Sequence, residues 1–172
     1  AHGQFITPGF IDSHVHLLDG GFTMSSVQLR NAKSPQEFSQ RIGDYAKTLP
    51  EGTWILGSDW DGSDWEDMPT KQWIDNITPN HPVFLSRFDG HIAIANSLAM
   101  KLSGIDNSIQ DVKGGIIGRD KSGELTGIFK DNAMTLITSK IPTPSDLQFD
   151  KALKNAMDHF AANGVTSVHN VW

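Results

Sequence analysis

Hydrophobic and polar positions alternate from Phe10 to Leu17, so Asp12, His14 and His16 share one side of an extended segment while Ile11, Ser13, Val15 and Leu17 share the other. Phe5 to Leu17 is predicted as a strand broken at Pro8-Gly9, and Gly20-Gly21 as a turn. From Ser34 the period lengthens to that of a helix. Ser34-Pro35-Gln36-Glu37 has the form of a capping box with proline at the first helical position, and Phe38, Ile42, Tyr45, Ala46 and Leu49 make one apolar stripe, ended by Pro50-Glu51-Gly52. Trp54 to Gly57 and Pro82 to Phe88 are compact apolar runs suited to buried strands. Short helices are predicted over Lys71 to Ile77 and from about Asn96 to Ser103, the second closed by Gly104. This strand-helix rhythm predicts a parallel sheet with covering helices, since parallel strands need a crossover.

The rhythm breaks at Gly114 to Phe129, where Ile116-Ile117 and Leu125 to Phe129 flank Asp120-Lys121-Ser122-Gly123 as the arms of a β-hairpin. Asp131 is predicted to cap a helix over Asn132 to Ser139. Ser145 to Gln148 forms a second capping box, before a stripe of Phe149, Leu153, Ala156, Met157 and Phe160 that stops at Gly164. Val165 to Trp172 reads as a closing strand. The sequence holds no internal repeat, low-complexity tract or linker.

Composition narrows the function. Across 172 residues, 38% are hydrophobic and 20% charged, the balance of an ordinary globular chain. Lys and Arg number 14 against 20 for Asp and Glu, a net charge of -6 that excludes a basic nucleic-acid groove. No apolar run approaches the roughly 18 residues of a membrane span. Ala1 to Gln4 lacks a signal pattern, and a start without Met predicts processing or trimming, which leaves a cytoplasmic and an exported location equally open. With no cysteine, His and carboxylate side chains are the remaining candidates for holding a transition metal.

That directs attention to His14 and His16. Two residues of strand advance about 6 to 7 Å, so the two imidazoles stand side by side and one nitrogen of each can reach a single cation at roughly 2.0 to 2.1 Å. Two histidines flanking a valine are also compatible with solvated residues on a half-exposed strand. The apolar opposite face and the nearby acid Asp12 favour a packed, ligand-bearing strand.

The run Pro8-Gly9-Phe10-Ile11-Asp12-Ser13-His14-Val15-His16-Leu17 resembles the first barrel strand of the amidohydrolase superfamily. Pro82 to Phe88 with Asp89-Gly90-His91, Asn96-Ser97, the Gly114-Gly115 hairpin, Thr126-Gly127-Ile128 and Gly164 to Val168 resemble its type 3, or YtcJ-like, subfamily, so the likeness spans nearly the whole chain. The resemblance implies an α/β fold carrying the first two strands of a TIM-type barrel. The first strand falls in residues 1–18, a large inserted α/β subdomain with the hairpin in 19–141, and a helix with the second strand in 142–172. It implies metal-assisted hydrolysis of amide-like, non-peptide C–N bonds in a small-molecule substrate, with His14 and His16 holding Zn2+ or a similar divalent ion. The family's lysine, two further histidines and aspartate sit on later barrel strands, and a whole barrel takes about 250 residues. The expectation is therefore a truncated segment with no assignable catalytic residue, binding metal weakly or not at all through two ligands and inactive alone. The rival expectation is a non-catalytic module that forms a homodimer through its open strand edges.

Other candidates are weaker. His91 follows a predicted strand and precedes a helix, at a carboxyl end of the sheet where α/β folds hold ligands, and the resemblance implies a substrate-side role for it and for Asp89. An Asp-Gly-His turn also serves purely structural ends, with Asp89 capping and Gly90 at positive φ. His169 lies in phase with Val165, Ser167 and Val171, but a lone strand histidine is more often packed or hydrogen-bonded than a metal ligand. Asp59 to Asp64 fails as a calcium loop, because aligning Gly62 puts Gly57 at the first ligand position and Met68 at the last, and reads as a solvated acidic loop. Trp54 and Trp73 are expected in a core. Trp60 and Trp65, among carboxylates, are expected at a pocket rim, with Trp60 contacting substrate.

Overall fold

The computed structural model describes residues 2, 3 and 5–171, with the backbone alone at Ser58. The fold is mixed α/β. In chain order the elements are β1 (Phe10–Val15), α1 (Leu17–Ser25), α2 (Pro35–Ala46), β2 (Ile55–Trp60), β3 (Val83–Arg87), β4 (Ile92–Ala95), α3 (Ser97–Leu102), β5 (Gly115–Arg119), β6 (Leu125–Asp131), α4 (Thr135–Thr138), α5 (Asp146–Ala162) and β7 (Val165–Asn170). Single 3-10 turns occupy Lys71–Trp73, Asp75–Ile77 and Asn132–Met134. Trp172, predicted as the last strand residue, lies outside the described residues. Among the described residues no helix is long and apolar enough to cross a membrane. The chain divides into two compact units, one formed by Ala1–Ser25 with Thr143–Trp172 and the other by Ser26–Pro142.

In Ser26–Pro142, five strands make one sheet in the order β2-β3-β4-β6-β5. β2 and β3 are parallel, and every other neighbouring pair is antiparallel. The parallel arrangement predicted for the strands before the hairpin is thus corrected. Ile92–Ala95, too short for its period to register, is a strand returned against β3 by the turn at Asp89-Gly90, where Gly90 has φ +73. The sheet is covered on both faces, which explains the unbroken apolar runs. Val83, Leu85, Ile94 and Ile128 face one core with Phe38 and Ile42 of α2. Phe84, Ala93, Ala95 and Phe129 face the other with Met100 and Ile137.

Local hydrogen bonds set the element ends. Ser34 Oγ accepts the Glu37 N–H at 3.2 Å and starts α2. The returning half of the capping box lands one residue early: the Glu37 carboxylate accepts the Lys33 N–H at 2.8 Å and holds Arg41 at 2.6 Å, and these contacts lower its pKa. Asn96, 1% exposed, caps α3 and does more. Its Oδ1 accepts from Ala99 N–H at 2.9 Å and Val83 N–H at 3.0 Å, while its Nδ2 donates to His81 O at 2.8 Å and Thr78 Oγ1 at 3.0 Å. One buried amide therefore ties the start of α3 to β3 and to the turn before it. The predicted hairpin forms, and Asp120 closes it by accepting from the Ser122 hydroxyl and from the Ser122 and Glu124 N–H groups, bonds that lower its pKa.

In the other unit, β1 and β7 pair in parallel, with Phe10 opposite Val165 and Val15 opposite Asn170. Helix α1 packs on α5. Gly20-Gly21, predicted as a turn, lies inside α1, and a Cβ at Gly21 would collide with the Ala152 carbonyl oxygen, so glycine is there for close approach of two helices. The α5 stripe is rotated from its predicted centre: Ala152 and Ala156 are buried, whereas Leu153 and Met157 are exposed. The Phe22 and Phe149 rings meet edge to face with centroids 5.4 Å apart. The capping box at Ser145 and Gln148 is present in both directions.

Candidate functional site

His14 is the penultimate residue of β1, and His16 stands just beyond it. Their ring centroids are 5.7 Å apart with planes inclined at 71°. Two imidazoles binding one ion through nitrogens roughly 2.0 to 2.1 Å away place their ring centres roughly 5 to 6 Å apart, so the pair fits a shared cation. Both rings are exposed, and among the described residues neither has a hydrogen-bond partner. The strand itself departs from ideal alternation. Asp12 Oδ1 accepts the His14 N–H at 3.1 Å, and the β1–β7 register shifts between Asp12 and Val15. The expectation of a packed opposite face is corrected too: Val15 is buried, but Ile11 is 68% exposed and Ser13 is exposed as well. Among the described residues no group of three or more His, Cys, Asp or Glu gathers around the pair, and His169 is exposed on β7.

What fixes His16 came from β7, which sequence reasoning missed. Val171 N–H donates to Val15 O at 2.9 Å, and Leu17 N–H donates to Asn170 Oδ1 at 2.8 Å. The His16 carbonyl meanwhile accepts from Gly20 N–H at 2.9 Å as α1 begins. Main-chain groups on both sides of His16 are thus held by the end of β7. A residue of low β-propensity closing a β-rich run was the one available signal for Asn170.

His91 and Asp89 lie in the β3–β4 turn. His91 therefore follows a strand as predicted, but it leads into another strand, not a helix. Asp89 Oδ1 accepts the His91 N–H at 3.0 Å, and Asp89 Oδ2 lies 3.3 Å from Arg87 Nε. The His91 ring nitrogen Nδ1 is 2.9 Å from Asp131 Oδ1. Asp131, predicted as a helix cap, makes no side-chain cap bond, and the segment after it begins as a 3-10 turn. Trp60, expected at a rim, is fully buried, with its indole N–H donating to Leu85 O at 2.9 Å and its ring stacked on Trp65. Asp59, at φ +76, and a register shift between Gly57 and Trp60 reverse the phase of β2 and turn the indole inward, away from direct substrate contact. Two depressions beside α3, lined by residues such as Lys71, Ser97 and Lys101, contain none of the predicted site residues.

Two histidines without hydrogen-bond partners among the described residues thus stand together at the end of a strand in a mixed α/β fold. The sequence profile of the amidohydrolase family matches residues 1–172, and the chain belongs to that family. It is 42% identical over 167 residues to the Arabidopsis thaliana protein LONG AFTER FAR-RED 3, covering 96% of this chain and 29% of that protein. Against the N-substituted formamide deformylase of Arthrobacter pascens it is 32% identical over 174 residues, covering 96% of this chain and 32% of the relative. The crystal structure of an uncharacterized metal-dependent hydrolase from Pyrococcus horikoshii OT3 superimposes with a TM-score of 0.69 at 29% identity, over 95% of this chain and 31% of that one. The chain thus spans under a third of the length of each of these proteins.

Proposed function

We propose that this chain contributes the first two strands, β1 and β7, of a TIM-type barrel to a hydrolase that cleaves amide-like, non-peptide C–N bonds in a small molecule, with His14 and His16 as ligands of Zn2+ or a similar divalent ion. The observation that carries it is the pair of unpartnered rings with centroids 5.7 Å apart, in a chain of the amidohydrolase family. The formamide deformylase relative supports the C–N assignment. When bound, the ion supplies Lewis acidity towards a carbonyl and activates water at neutral pH. Asn170 and Val171 hold the main chain so that the His16 ring stays beside His14. Within Ser26–Pro142, His91, its main chain anchored by Asp89, is a residue for contact with a substrate.

Two ligands make a weak site, so the 172 residues alone bind zinc weakly and do not hydrolyse. Calorimetric titration with Zn2+ tests this. Weak binding that disappears in His14→Ala and in His16→Ala is the expected result, and binding indifferent to both would overturn the assignment. In an enzyme of full family length, hydrolysis of N-substituted formamides in preference to matched esters checks the bond type. A second reading is favoured by the exposed Phe10 and Ile11: a non-catalytic module pairing two copies through the open edges of β1 and β7. A dimer by sedimentation with no zinc affinity would select it.

A further inference from the structure

We propose that Asp131 is a positioning residue that fixes His91 in its Nδ1–H tautomer, leaving Nε2 as the hydrogen-bond and proton acceptor for an N–H or O–H group of the substrate. This deepens the substrate-side reading of His91 and is independent of the metal.

The backbone of Asp131 is the first observation. It sits at φ +50 and ψ -127, a region open to glycine and costly for any residue with a Cβ. Its surroundings hold it there. Asp131 N–H donates to His91 O at 2.9 Å, Asn132 N–H to Gly114 O at 3.1 Å, and Asn132 Nδ2 to Lys113 O at 3.0 Å. Gly115, opposite Asp131 in the β5–β6 ladder, packs so closely that a Cβ there would collide with Ala133 N. Glycine at position 131 would satisfy the same main-chain bonds without strain, so what aspartate adds is its carboxylate.

That carboxylate caps no helix and instead meets His91 Nδ1 at 2.9 Å. An ionised carboxylate only accepts, so Nδ1 carries the hydrogen, and a neutral imidazole then has its lone pair on Nε2. The His91 side chain is 74% exposed, its main chain is tied to Asp89 and Asp131, and Nε2 has no partner among the described residues. A pair this exposed contributes little to stability, so folding does not account for it. In proton transfer the substrate's N–H or O–H bond breaks with its electron pair left on the substrate atom. The Nε2 lone pair forms the new N–H bond, and the imidazolium faces the Asp131 carboxylate.

Long-range 1H–15N correlation spectra of the whole chain, at a pH where imidazoles are neutral, read the tautomer without substrate. The wild type is expected to show His91 as Nδ1–H, and Asp131→Asn and Asp131→Gly are expected to shift it to a mixture or to Nε2–H. Asp131→Gly should also melt no lower than the wild type. A wild-type Nε2–H tautomer, the same tautomer in the wild type and both variants, or a lower melting temperature for Asp131→Gly would each overturn the proposal. Turnover by His91→Gln in the full-length enzyme tests the substrate-side reading separately.

Discussion

Replacing Asn96 with alanine should unfold the five-stranded unit far more readily than one small polar residue suggests. The variant leaves Val83 N–H inside β3 and Ala99 N–H at the start of α3 without an acceptor, and His81 O without its donor. Loss of a helix cap costs about 1 kcal/mol, and each buried main-chain group left unpaired costs about 1 to 3 kcal/mol. With partial relaxation the substitution should cost about 3 to 5 kcal/mol. Urea unfolding followed by tryptophan fluorescence reads this unit directly, because Trp54, Trp60, Trp65 and Trp73 all belong to it. The midpoint should fall with the slope unchanged. Asn96→Asp sharpens the test, since it keeps both acceptors but loses the donors and buries a carboxyl whose pKa burial raises. A raised folded-state pKa means that the folded form keeps a proton the unfolded form releases. Stability is then lost as pH climbs from the ordinary carboxyl range, and the variant should lie closer to wild type at about pH 4 than at about pH 7. A cost below about 1 kcal/mol for Asn96→Ala, the value of the cap alone, would refute the reasoning.

Asn170→Ala should weaken Zn2+ binding about tenfold by freeing the main chain at His16, while Asn170→Asp, still able to accept the Leu17 N–H, should retain it; calorimetry distinguishes them. Gly21→Ala should push α1 off α5 and destabilise that unit by about 1 to 3 kcal/mol, seen as faster amide exchange in α1. Glu37, its pKa lowered by the Lys33 N–H and by Arg41, gives α2 a contribution present above its ordinary value of 4.5 and lost as pH falls through the lowered folded-state value. Glu37→Gln should flatten that acid limb in a pH series of thermal melts.

What the sequence revealed was carried by neighbours in the chain. The capping residues Ser34 and Ser145 sit three places from the groups they bind, the Asp120 turn closes on Ser122 and Glu124, and period two brings His14 beside His16. What it hid depends on remote partners. Gly21 looks like a turn residue until Ala152 is seen against it, and the partners of Leu17 and His91 lie 153 and 40 residues away. Trp60 was placed by its acidic neighbours, whereas the left-handed Asp59 decided its direction. Strand β4 was missed because four residues of isoleucine and alanine carry little pattern, and its loss turned a mixed sheet into a parallel one.

The pairing of β1 with β7 also dictates an order of events during synthesis. Ser26–Pro142 is one uninterrupted stretch that holds all five strands of its sheet once Pro142 has left the ribosome, but Phe10 must wait for Val165. Joining those ends through a disordered middle would exact the entropy of a very long loop, and a middle already collapsed reduces that cost. Until β7 arrives, the segment bearing His14 and His16 lacks that partner and stays open to chaperones and to mispairing with another chain.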